Sequence, residues 1–196
     1  MRAHVLALAL LPLVAACSSV DRVDPRTVTD LSGNWNDTDS RLVAEEMITD
    51  CLRRPWLGEF KSGHGGAKPV VIVGTIKNRS NEHIPIGMFT KDLEKELLNS
   101  GLVRFVAAKG ERDEVREERE DQQMNSNAET MKRMRQESGA DFMVIGSIDQ
   151  NDDRAGGKAA KAYQVNLELV DLESNEKVWI GTKDIKKMVK KGGLGL

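Results

Sequence analysis

The sequence predicts an α+β fold, a single domain in which helices pack on one mixed sheet of about five strands. Three observations predict it. Amphipathic segments with a 3.6-residue period alternate with short apolar runs over roughly the first 140 residues. The remaining stretch carries apolar or alternating runs separated only by short turn-rich links. The chain of 196 residues, 39% apolar and 31% charged, has the length and composition of one compact domain.

The chain opens with a short basic start, Met1 to His4, and an apolar run, Val5 to Val14. That run is too short for a spanning helix, which needs about 20 residues, but suits the core of a signal peptide. Leu13-Val14-Ala15-Ala16-Cys17-Ser18-Ser19 then matches the bacterial lipobox. The match implies cleavage after Ala16, a diacylglyceryl group on the Cys17 thiol and an acylated new amine. Three such palmitate-type chains exceed the two signals needed for stable anchoring. The alternative is an ordinary signal peptide that leaves Cys17 free. Ser18 stands where an aspartate commonly retains lipoproteins in the inner membrane, so the expected address is the outer membrane, facing the periplasm.

Residues 1–16 are thus read as signal peptide, and 17–34 as the lipidated cysteine and a short tether. The tether's 17 or so residues stretch to about 60 Å at most. Thr38 and Asp39 can cap a helix from Ser40 to Arg53, which Pro55 closes. Cys51 lies on its apolar face with Val43 and Met47 and reads as a buried, inert thiol. Pro69 to Ile76 is a strand apolar on both faces, and Asn78 to Pro85 a polar loop. Gly87 to Ser100 is the clearest helix, with Phe89, Leu93 and Leu97 on one stripe and Gly101 as its stop.

Leu102 to Ala107 reads as a second strand, and the charged run Lys109 to Gln123 as a solvated helix. Ser126-Asn127-Ala128-Glu129 is a capping-box pattern that opens a helix to Ser138. Phe142 to Ile148 is a buried strand, Asn151 to Gly157 a loop, and Tyr163 to Leu172 an alternating strand. Glu173-Ser174-Asn175 turns the chain into a last strand, Lys177 to Ile185. Residues 186–196 form a mobile Lys/Gly tail, so the folded domain spans 35–185. Helical crossovers imply parallel neighbours among the first three strands, and short turns an antiparallel meander among the last three.

The chemistry is mostly negative. Lys+Arg 29 against Asp+Glu 31 lacks the basic surplus that phosphate recognition requires, so no nucleic-acid partner is expected. His64 and His83 have no cysteine partner or HExxH spacing, and no metal site or cofactor is expected. Gly63-His64-Gly65-Gly66 has no G-x-S-x-G elbow to serve as an oxyanion loop. Asp149 to Asp153 begins like a calcium loop, but Arg154 stands where glycine is needed. Neither a catalytic constellation nor a small-molecule substrate is indicated, and the chain is read as a non-enzyme.

Five short motifs in order carry a resemblance. The lipobox, Trp35-Asn36 before the first helix, and Val71-Ile72-Val73 leading into Asn78-Arg79-Ser80 come first. Gly139-Ala140-Asp141-Phe142-Met143-Val144 and Val178-Trp179-Ile180-Gly181 follow. Together they resemble the LpoB family of lipoprotein activators of penicillin-binding proteins, over about residues 34–185. The resemblance implies a fold like the N-terminal domain of TolB. It also implies a partner, a class A penicillin-binding protein (a peptidoglycan synthase), whose glycan polymerisation and crosslinking docking would stimulate. One departure is the tether, which in well-known members is long and Pro-rich.

Asn78, Arg79 and Ser80, with Lys158 and Lys161 on the fourth strand, are the candidate docking residues, being polar and next to core strands. A competing reading is a structural or export component related to curli-secretion lipoproteins. Those need extra amphipathic hairpins, and no alternating segment is spare here.

Overall fold

The computed structural model describes residues 20–106, 109–125 and 139–190. The signal segment 1–16, Cys17, the helix expected over Ser126–Ser138 and residues 191–196 lie outside the described residues. The elements run α1 (Asp37–Leu52), α2 (Pro55–Gly63), β1 (Val70–Arg79), α3 (Ile86–Asn99), β2 (Arg104–Phe105), α4 (Lys109–Asn125), β3 (Phe142–Ala155), β4 (Lys158–Asp171) and β5 (Lys177–Lys190). The strands form one sheet in the order β2-β1-β3-β4-β5. β1 is parallel to β2 and β3, and β3, β4 and β5 are antiparallel. The parallel pairs are those whose connections contain helices, and the antiparallel pairs are joined by tight turns. The fold is the α+β domain with a mixed five-stranded sheet that the pattern predicts.

The core lies between the sheet and the pair α1 and α3. Val43, Met47, Ile48 and Cys51 of α1 meet Phe89, Leu93 and Leu97 of α3 in one buried cluster with Tyr163, Val165, Leu167 and Leu169 of β4. The two-residue alternation along β4 and the four-residue spacing on α3 are what aim these side chains inward. Each fully buried Leu or Phe stabilises the fold by about 2–3 kcal/mol. Burial also pushes the Cys51 thiol up to about 12, which keeps it protonated and unreactive.

Several boundaries differ from expectation, each for a local reason. α1 begins three residues early because Asn36 is its cap. The Asn36 side chain accepts from Asp39 N–H at 3.1 Å while the Asp39 carboxylate accepts from Asn36 N–H at 2.9 Å. Pro55 does not merely end α1; it occupies the first turn of α2, where its missing N–H costs nothing. α2 is fastened by Trp56, whose indole N–H donates to the Cys51 carbonyl at 2.7 Å, and by ring contacts of Trp56 and Phe60 with Phe142. β2 pairs over only two residues, since β1 offers it partners at Val70 and Val71 alone.

The loop expected over Asn151–Gly157 is instead the end of a long hairpin. β3 and β4 pair continuously from Phe142↔Asp171 to Ala155↔Lys158, and Gly156-Gly157 is the whole turn. Both glycines have positive φ (54° and 75°), as a tight hairpin turn demands. The polar composition that read as a loop reflects strands exposed beyond the core. For the same reason residues 186–190, expected in the mobile tail, complete β5, pairing with β4 as far as Lys158↔Lys190.

Candidate functional site

Of the predicted docking residues, Asn78, Ser80 and Lys161 meet at one end of the sheet, around a residue that the sequence does not single out. Asn78 and Arg79 end β1, and the chain turns back through Ser80. The Asn78 side chain accepts from Ser80 N–H at 2.9 Å and donates to the Glu82 carbonyl at 2.8 Å. This Asx turn delivers the Glu82 carboxylate to the exposed ends of β3 and β4. Oε1 of Glu82 accepts from Lys161 Nζ at 2.5 Å, the Tyr163 hydroxyl at 2.8 Å and Gln150 Nε2 at 3.0 Å. Its Oε2 accepts from Trp35 N–H at 3.0 Å.

The electrostatics of this hub follow from its contacts. Burial raises the Glu82 pKa, but donors from Lys161, Trp35 and Tyr163 outweigh it and hold the carboxyl below its usual range. Burial and the neighbouring Glu82 charge push the Tyr163 hydroxyl well above its ordinary value. A carboxylate with four donors on it is a structural organiser: it ties the β1–α3 turn, β3, β4 and the segment before α1 to one point.

The docking candidates therefore separate into two kinds. Lys161 is 15% exposed at its side chain and committed to Glu82 and Asn34, so it belongs to the hub. Asn78 and Ser80 shape the turn. Arg79, 60% exposed, reaches Asp149 only at 3.8 Å and remains presented to solvent. Lys158 stands apart on the hairpin tip, where with Arg154, Lys161 and Val189 it lines a pocket of about 500 Å³.

A second polar cluster lies nearby. Lys187 of β5 donates to Asp30 and Asp39, both at 2.6 Å, and to the Asn34 carbonyl at 3.1 Å. Burial alone would lower the Lys187 pKa, but the hydrogen bonds to the two carboxylates raise it. Further along, the Trp179 indole donates to Asp50 at 2.9 Å and closes one side of a groove of about 900 Å³ between α1 and β5. Among the described residues no group of three or more His, Cys, Asp or Glu is arranged to hold a metal ion, and no helix is long and apolar enough to cross a membrane.

Comparison with known proteins gives one family. The model of the peptidoglycan-synthase activator LpoB matches residues 39–185. No curated protein sequence matches the chain significantly. Among solved structures, the LpoB C-terminal domain from Salmonella enterica is 18% identical, covering 76% of this chain and 99% of that one, at a TM-score of 0.42. The LpoB C-terminal domain from Escherichia coli is 20% identical over 67% and 98% of the two chains, at 0.39. The NMR structure of E. coli LpoB is 15% identical over 95% and 84%, at 0.44.

Proposed function

This chain belongs to the LpoB family of peptidoglycan-synthase activators, and on that premise we propose that it binds and stimulates a class A penicillin-binding protein. The observation that carries the reading is the family match, which extends over residues 39–185 and so takes in most of the sheet, nearly all of both core helices and Glu82 with its partners on β3 and β4. It does not favour the export reading. The protein acts without chemistry of its own: a ligand accelerates a synthase only by binding its active conformation more tightly than its inactive one. A tenfold stimulation needs a preference of about 1.4 kcal/mol, a modest demand on a docking surface.

The lipobox at Leu13–Cys17 supports an anchor on Cys17, and Ser18 supports an outer-membrane address facing the periplasm. Arg79 and Lys158 are the docking residues this reading assigns, because they keep their charges in solvent, whereas Asn78, Ser80 and Lys161 support the turn behind them. The test is glycan-strand synthesis by a purified class A penicillin-binding protein from the same organism, with and without the full chain. A rate increase that disappears when the chain is heat-unfolded is the expected result. No stimulation and no binding with every such synthase of the organism would overturn the proposal.

A further inference from the structure

The segment that precedes α1 changes character abruptly at Trp35. Val28 is 63% exposed and Leu31 94% exposed, yet Trp35 is 7% exposed and packed edge-on against Phe89 and Tyr163. Before Trp35, then, neither Val28 nor Leu31 is held by burial. What holds residues 29–34 is polar. Asp30 and the Asn34 carbonyl accept from Lys187, the Asn34 side chain accepts from Lys161, and the Asn36 side chain donates to the Thr29 carbonyl at 3.1 Å. The Gly33 carbonyl lies 3.1 Å from the Tyr163 hydroxyl. Gly33 itself has φ +55°, and a Cβ there would stand 2.4 Å from a Val189 methyl, so glycine lets the segment lie flat on β5.

Each lysine also has an acid that belongs to the folded domain. If residues 29–34 leave, Lys187 keeps Asp39 at 2.6 Å and Lys161 keeps Glu82 at 2.5 Å. Release therefore strands no buried charge, which is the event that makes breaking an ion pair expensive. The ion pair that is lost joins Lys187, only 9% exposed at its side chain, to Asp30, whose side chain is 46% exposed, so the acid returns to water on release while the lysine keeps Asp39.

We propose that residues 29–34 are a releasable strap, which detaches from Lys187 and Lys161 while the domain stays folded and so gives the anchored protein two reaches. Docked, the tether ends at Val28. Released, it runs to Trp35 and gains the six residues of the strap, roughly 20 Å at full extension. The functional meaning rests on the lipid-anchored activator reading above, but the strap is testable without any synthase.

The experiment is site-resolved labelling of the full chain across a urea series, with acylation of the Lys187 amine reporting the strap and alkylation of the Cys51 thiol reporting global unfolding. At low urea, Lys187 labelling is expected to be flat while Cys51 labelling rises steeply, because local opening exposes little surface. Asp30→Asn should speed Lys187 labelling by about fivefold, as expected for loss of a pair whose acid is open to water, and leave Cys51 unchanged. Gly33→Ala supplies a second variant: its Cβ would stand 2.4 Å from the Val189 methyl at a positive φ, so it should loosen the strap and speed Lys187 labelling while Cys51 labelling stays unchanged. Lys187 and Cys51 labelling with the same urea dependence, or both variants leaving Lys187 labelling unchanged, would overturn the strap.

Discussion

Lys187, near the end of the last strand, stands 2.6 Å from Asp39 in the first turn of the first helix, and the two side chains are only 9% and 8% exposed. Asp39 also closes the capping box of α1 through Asn36 N–H. One carboxylate thus caps the first helix and pins the edge strand, joining segments that are 148 residues apart.

Lys187→Met should therefore destabilise the domain by about 3 kcal/mol, because it leaves Asp39 buried with its charge only partly compensated. Urea unfolding of the two proteins measures this. Since the folded-state pKa of Lys187 is raised, its contribution is fully present below the ordinary lysine value and is lost as pH rises past the folded value. The gap between wild type and variant should accordingly stay constant through neutral pH and narrow only in strong alkali.

Glu82 has the opposite sign. Its carboxyl is held below the usual range, so the stability it contributes is present above the ordinary carboxylate value and is lost as pH falls through the folded one. Glu82→Gln should cost about 2–3 kcal/mol at pH 7, leaving Lys161 without its charge partner. The difference should shrink on acidification below about pH 4.5 as wild-type Glu82 takes up a proton. Urea midpoints collected from pH 3 to pH 7 check both statements.

Trp179 tests the α1–β5 contact. Trp179→Phe removes the indole donor to Asp50 but keeps a ring in place, and a loss of about 1 kcal/mol is expected. Trp179→Ala removes a side chain only 5% exposed and should cost about 3–5 kcal/mol. Equal effects in thermal unfolding would show that the hydrogen bond, not the ring, holds the strand.

For docking, the paired substitutions Arg79→Glu and Lys158→Glu should weaken synthase binding by an order of magnitude or more while moving the unfolding midpoint little. Lys161→Met should instead lower stability by about 3 kcal/mol, as expected when Glu82 loses a buried partner. Binding titrations beside thermal melts separate a docking residue from a structural one.

The sequence by itself determined the elements that repeat a simple physical period. The stripe Phe89, Leu93 and Leu97 marks α3, the alternation Tyr163, Val165, Leu167 and Leu169 marks β4, and connection length sorts parallel from antiparallel neighbours. Those signals are local, so they survive without coordinates. Only the tertiary structure decided the polar end of the domain. Nothing near Glu82 in the sequence announces Trp35, Gln150, Lys161 and Tyr163 as its donors, and Lys187 reads as one lysine in a Lys/Gly-rich tail. Residues 151–157 and 186–190 looked like loop and tail because exposed strands carry polar side chains. Their register with β4, set by the buried half of each strand, is what extends them. Ion-pair partners have no sequence period; they are chosen by which strand ends the hydrophobic core brings together.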